Sequence, residues 1–170
     1  LTNSSTQQKF PVVEMLYSTG QDHEDIAQAI AFMWERDLGI EAVLMGKESK
    51  TFGEDVKTHN FMISRANWFG DYGDPTTFLD LFRTTNGNND RAFSNPWFDD
   101  LMAQTDRELD PEKRMRMLEQ AEAFIVNEQL PLVPLFHRIT VYMYEPDGLL
   151  NVATHPRLVQ YLWELEAISK

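Results

Sequence analysis

The chain has 170 residues, 42% of them hydrophobic and 12% aromatic, enough to build the core of one ordinary domain and to exclude wholesale disorder. Its 27 acidic against 15 basic residues give a net charge of −12, which argues against partners built on phosphate, such as nucleic acid or anionic membrane surfaces. There are no cysteines, so disulfides, thiolate zinc sites, iron–sulfur clusters and a cysteine nucleophile all drop out.

The opening stretch LTNSSTQQK (residues 1–9) is polar, lacks the apolar segment of a signal peptide and reads as a flexible linker. With no initiator Met, the sequence is expected to be a piece of a longer protein, residues 10–170 forming the folded part. No run approaches the roughly 20 apolar residues that a membrane span needs.

Residues 10–18 (FPVVEMLYS) form an apolar, β-branched run that predicts a buried strand. Asp22 then offers a helix N-cap. Ile26, Ile30, Met33, Trp34 and Leu38 recur at helical spacing until Gly39 ends the stripe. Residues 40–45 (IEAVLM) predict a second strand, and the strand–helix–strand order makes a βαβ unit with parallel pairing. A weaker helix over 49–59, interrupted by Gly53, leads to a third strand over 61–68. This half therefore belongs to the α/β class, a mostly parallel sheet flanked by helices.

Gly70-Asp71-Tyr72-Gly73-Asp74-Pro75 is a turn cluster, with Pro75 placed for the first turn of a helix over 76–82. Residues 84–90 (TTNGNND) predict an exposed loop. Asn95-Pro96 opens a helix to Leu109, with Phe98, Leu101, Met102 and Thr105 on one face. Asp110-Pro111 opens another, to about Glu128, with Met115, Leu118, Ala121 and Ile125 periodic. Residues 132–144 read as extended, Pro146-Asp147-Gly148 as a turn and 159–165 as a strand.

Motifs for chemistry are sparse. The four histidines, at 23, 59, 137 and 155, form no metal-ligand pair. No G-x-S-x-G elbow and no phosphate-binding G-x-x-x-x-G-K-[ST] loop occurs. Asp71, Asp74, Asp80 and Glu54 could supply a carboxylate pair, but with 27 acids some proximity arises by chance, and solvated carboxylates are the simpler account.

The informative stretch is R-A-N-W-F-G-D-Y-G-D (65–74). It places a large aromatic, a glycine and an acid at the carboxyl end of a strand, where open α/β sheets bind ligands. Continued as a strand, it would set Arg65, Asn67 and Phe69 on one side and Ala66 and Trp68 on the other. Trp68 and Tyr72 beside Asp71 would make an aromatic-walled receptor for an ammonium group. A plainer account of the same residues has Trp68 in the core, Asp71 capping the turn and Asp74 capping the helix at Pro75.

The run N-W-F-G-D-Y-G-D-P-T-T-F-L (67–79) is similar to the W-x-x-D-Y-x-[DE]-P-x-[ST]-F-L signature of bacterial oligopeptide- and dipeptide-binding proteins, the extracytoplasmic receptors of peptide ABC importers. M-L-Y-S-T (15–19) with the helix D-I-A-Q-A-I-A-F-M-W-E-R-D-L-G-I (25–40) resembles the opening of that family's C-terminal lobe. N-P-W-F-D-D-L-M-A-Q-T (95–105), D-P-E-K-R (110–114) and Q-L-P-L-V-P-L-F (129–136) resemble its closing helices and strand.

The resemblance implies one lobe of a type II periplasmic-binding-protein fold, periplasmic or cell-surface, which closes with an N-terminal lobe around a short peptide and docks on permease subunits. It implies no catalysis and no cofactor. By position, Asp71 matches the acid that pairs with the peptide's α-ammonium group and Trp68 an aromatic lining a side-chain pocket. Tyr72 accompanies them in the motif. Asn67 and Phe69 fall where backbone groups bind the extended peptide. Arg65 and His23 match positions that hold the C-terminal carboxylate in some members, a task suited to the bidentate guanidinium.

Two departures bear on selectivity. A second basic carboxylate-binding position is Val56 here, with Lys57 and His59 nearby, and the bulky Phe69 replaces small residues found beside the Trp in some relatives. Relatives of the same fold bind nickel, haem or sugars, which leaves those ligands as alternatives. The competing reading from another class is a hydrolase using Asp71 with Asp74 or His23; it needs a base within reach of a nucleophile or water.

Overall fold

A computed structural model of the chain describes residues 10–20, 22–139, 141, 143–145, 147–152 and 161–168. The expected linker at 1–9 and the Pro146 corner of the 146–148 turn lie outside these residues. The chain divides into two compact units, one running up to Asn67 together with Asp90–Ala92, the other comprising Trp68–Asn89 and the residues from Phe93 onward.

The first unit is the predicted βαβ arrangement. Strand β1 (Val13–Ser18) lies at the centre of a three-stranded parallel sheet, between β2 (Ala42–Lys47) and β3 (Ile63–Ser64). The β1–β2 register runs from Val13↔Ala42 to Ser18↔Lys47. Helix α1 (His23–Met33) joins them, because Met15 and Tyr17 of β1 pack with Ala27 of the helix, backed by Ile30, Trp34 and Leu44. Tyr17 lies so close over Gly46 that a Cβ there would come within 2.6 Å of its hydroxyl oxygen, which is why the neighbouring strand carries glycine.

Helix α1 widens into a π-helical turn over Trp34–Leu38 and stops at Gly39, whose left-handed backbone (φ 63°) sends its N–H back to Glu35 O. The glycine without a Cβ is what makes that exit inexpensive. Asp22 holds the N-cap position but makes no side-chain cap bond. Helix α2 (Ser49–Lys57) runs through Gly53 without a break. One helical glycine costs only about 1 kcal/mol, and the Glu48 side chain accepts from Lys50 N at the helix start.

The third strand is much shorter than the expected 61–68. It pairs only Met15↔Ile63 and Leu16↔Ser64, followed by Arg65 N–H to Leu16 O at 2.8 Å. Beyond it residues 65–70 have no ladder, so the alternation expected for Arg65, Asn67 and Phe69 does not apply: Arg65 is buried while Asn67 and Phe69 are exposed. Apolar character alone did not reveal that pairing ends there.

The second unit is mainly helical. Helix α3 (Thr76–Leu79) continues as a 3-10 turn over Asp80–Phe82; α4 spans Pro96–Thr105 and α5 Pro111–Ala123, the last followed by a π-helical turn over Phe124–Gln129. The predicted caps are present: Asn95 accepts from Phe98 N, and Asp110 accepts from Glu112 N and Lys113 N. Helix α4 ends four residues before the expected Leu109, which is 94% exposed and contributes nothing to the periodic face.

Phe98, Met102, Leu118, Ala121 and Ile125 are almost completely buried and form one cluster with Leu79, Leu81, Phe82 and Leu101. Phe82, Phe93 and Phe98 meet edge to face at 5.9–6.4 Å between ring centres. Each buried side chain of this size contributes roughly 1.5–3 kcal/mol, and together they anchor the end of α3 and its 3-10 turn against α4 and α5.

A short antiparallel pair, β4 (Leu149–Leu150) with β5 (Glu166–Ala167), follows. Residues 162–164 of the expected last strand form a 3-10 turn instead, and residues 159–160 lie outside the described residues. Among the described residues no helix is long and apolar enough to cross a membrane.

Candidate functional site

The motif residues fall in both units, and each group is described within its own. In the second unit, residues 68–75 form a turn that feeds α3. Gly70 is buried, and a Cβ there would lie 3.3 Å from Thr77 Cγ2 and 3.4 Å from the Phe78 ring, so the backbone passes where most side chains would crowd it. Asp71 N–H donates to Thr77 Oγ1 at 2.8 Å, and Thr77 N–H returns to Asp74 O at 3.1 Å. Thr76 and Thr77 are buried and hold the turn from beneath.

The three carboxylates of this segment have different fates. Asp74 caps α3 by accepting from Thr76 N at 3.0 Å, as the plainer reading expected, and also takes both outer guanidinium nitrogens of Arg114 at 2.7 and 3.0 Å. Arg114 holds its carboxyl well below the usual carboxylate range, with the Thr76 hydrogen bonds acting in the same direction. Asp80 receives Arg83 Nε at 2.6 Å on one oxygen and faces Tyr72 Oη at 3.5 Å with the other. Arg83 also bonds Asp106 and Met102 O, which ties this end of the segment to α4.

Asp71 differs: its carboxylate takes no hydrogen bond or ion pair among the described residues, and it is exposed. Around it in sequence, Trp68 is 39%, Phe69 42% and Tyr72 47% exposed. Trp68 is thus not the core residue of the plainer account. An uncommitted acid in an aromatic-rich turn suits an ammonium ligand chemically.

In the first unit, the guanidinium of Arg65 donates to His23 Nδ1 at the start of α1. Arg65 is 8% exposed. Asn67 is exposed at the end of the unit. At the other alternative position, Val56 is half-buried in α2, Lys57 pairs with Asp90 at 2.6 Å and His59 has a left-handed backbone (φ 55°).

The hydrolase pairing finds no support in these contacts. A general acid or base needs a pKa near the working pH, yet Asp74 is fixed as an anion by Arg114, and His23 Nδ1 is engaged with Arg65. Among the described residues no three His, Asp or Glu side chains converge as a metal site. Sequence reasoning missed Arg114, Thr77 and Arg83. Only the D-P-E-K-R cap hinted at Arg114, and it says nothing of a carboxylate 40 residues earlier.

Comparison with known proteins gives consistent matches. Residues 1–90 match the family model described as bacterial extracellular solute-binding proteins, family 5 Middle. The oligopeptide-binding protein OppA of Bacillus subtilis is 36% identical over 127 residues, 74% of this chain and 23% of that protein. Among solved structures, the periplasmic oligopeptide-binding protein OppAIV of Borrelia burgdorferi superposes with a TM-score of 0.79 at 31% identity, over 94% of this chain and 32% of that one. Haemophilus influenzae OppA in complex with the peptide RPPGFSPFR gives 0.80 at 27% identity, over 93% and 31%. These solved structures carry the type II periplasmic-binding-protein fold, and the chain spans only about a quarter of the length of the curated relatives it matches.

Proposed function

The chain belongs to the bacterial extracellular solute-binding proteins of family 5, and we propose that residues 10–170 form part of the C-terminal lobe of an extracytoplasmic peptide receptor serving an ABC importer. In this reading it binds short peptides without catalysis and needs no cofactor. Its partners are the remaining lobe of a larger two-lobed protein and the permease that reads the closed form. Relatives named as oligopeptide-binding proteins, one of them solved with a nonapeptide, support the substrate class.

The observation that carries the assignment of residues is the Asp71 carboxylate, unpaired among the described residues while two neighbouring acids are locked by arginines. Asp71 receives the peptide's α-ammonium group, while Trp68 and Tyr72 offer apolar faces to the first side chains. Backbone groups at Asn67 and Phe69 bind the extended main chain, reading length and termini rather than sequence. Arg65, oriented by His23, takes a peptide carboxylate.

Peptide affinity of this chain alone is expected to be weak, because most of a bound ligand's surface is normally enclosed and one lobe encloses only part of it. The test is an amide NMR titration of the 170-residue chain with mixed tri- to pentapeptides. Shifts concentrated at residues 65–72, abolished by Asp71→Ala and by N-acetylation of the peptides, are the expected result, with dissociation constants on the order of a millimolar. Equal shifts with acetylated peptides, or none at about ten times that concentration, would remove Asp71 as the ammonium anchor. A nanomolar constant would refute the need for the rest of the receptor.

A further inference from the structure

We infer that Arg114, on α5 and remote from the motif in sequence, is a positioning residue for the ligand turn at 68–72, acting through Asp74. The inference rests on the reading of that turn as the peptide-ammonium site, and its test separates the two.

The geometry is a chain of contacts inside one compact unit. Arg114 Nη1 donates to Asp74 Oδ2 at 2.7 Å and Nη2 to Asp74 Oδ1 at 3.0 Å, a fork-to-fork pair that fixes the carboxylate plane as well as its position. Oriented in this way, Oδ1 also receives the Thr76 amide at 3.0 Å. The single Thr76 hydroxyl proton has two acceptors in reach, Asp74 Oδ1 at 2.8 Å and Tyr72 Oη at 3.2 Å. The next residue, Thr77, receives the Asp71 amide. Asp74 is thereby linked to both sides of the ligand turn, to Tyr72 through Thr76 and to Asp71 through the Thr76–Thr77 backbone.

Position on the helix supports the role. Arg114 lies one turn before Leu118, whose side chain is 1% exposed in the main cluster of the unit, so the guanidinium extends from a rigid element. Arg83 provides a second brace at the far end of α3, through Asp80 and Asp106. Helix α3 is therefore held at both ends by arginine clamps, one onto α5 and one onto α4, and the turn carrying Asp71 leads directly into the first. Of the two, only Arg114 reaches the residue that caps the turn's own helix. A lysine in its place would keep the charge and lose the fork, so the two contributions are separable.

The experiment compares wild type, Arg114→Gln and Arg114→Lys in the full chain, by amide hydrogen exchange and by peptide titration. Selective loosening of the turn is the expected result. In Arg114→Gln the Asp71 and Thr77 amides exchange at least tenfold faster while the Phe98 and Leu118 amides change less than threefold, and Arg114→Lys falls between. Tripeptide-induced shifts at Asp71 weaken in the same order. Proportional acceleration of all amides, or none at Asp71 and Thr77, overturns the inference, since a merely stabilising ion pair would act on the whole unit. If wild type shows no peptide-induced shift at Asp71, the ammonium-site reading fails, and exchange alone still decides whether Arg114 orders the turn.

Discussion

The guanidinium of Arg65 donates to Nδ1 of His23, 42 residues earlier in the chain, and so pins the end of β3 to the start of α1. A buried guanidinium that loses an acceptor is left partly desolvated, at a cost of about 1–3 kcal/mol. His23→Ala is therefore expected to lower urea-unfolding stability by about 1–2 kcal/mol, whereas His23→Gln, which keeps an acceptor, recovers most of it. Equal losses in the two variants would show that the ring contributes packing and not the hydrogen bond.

Asp74 gives the chain a defined acid sensitivity. Arg114, with help from Thr76, depresses its folded-state pKa well below the usual range. A carboxyl that titrates lower when folded contributes stability that is complete above the unfolded value near pH 4 and disappears as pH falls through the folded value. Its side chain is 32% exposed and Arg114's 25%, so solvent screening limits the size of the effect. Between about pH 5 and about pH 2, wild type should lose about 1 kcal/mol more than Asp74→Asn. Parallel pH profiles of the two in urea melts would contradict this.

The helical unit should respond to core and cap changes by different amounts. Phe98 is fully buried between two edge-on rings, and Phe98→Ala is expected to cost about 3–5 kcal/mol. Asp110 caps two amides on the surface, and Asp110→Ala should cost about 1 kcal/mol. Equilibrium unfolding measures both, and a cap variant as damaging as the core variant would contradict the assignment of the core.

The segment after α5 carries a solution property. Val133, Ile139, Val141 and Met143 are 73%, 79%, 79% and 97% exposed. Exposed apolar surface of this kind promotes association. Light scattering should show concentration-dependent self-association, reduced in the Ile139→Lys/Val141→Lys double variant; a strictly monomeric wild type at high concentration would refute it.

The local signals were readable from the sequence because they depend on neighbours along the chain. Gly39 ends α1 through its left-handed backbone, Asn95 and Asp110 cap the helices that begin at Pro96 and Pro111, and the alternation of strand and helix selects a parallel βαβ unit. The motif from Trp68 to Leu79 led to the family for the same reason, since its residues are contiguous.

Interactions across long stretches of chain could not be read in this way. That β3 stops after two pairs depends on how far the chain stays beside β1, and α4 ends at Thr105, leaving Leu109 beyond it and 94% exposed. Asp71, Asp74 and Asp80 look equivalent in the sequence. They become one acid with no partner among the described residues and two clamped ones only when α5 brings Arg114 to Asp74 and Arg83 closes on Asp80 and Asp106. Propensity and capping act over a few residues, whereas the availability of a charge to a ligand is set by the folded chain around it.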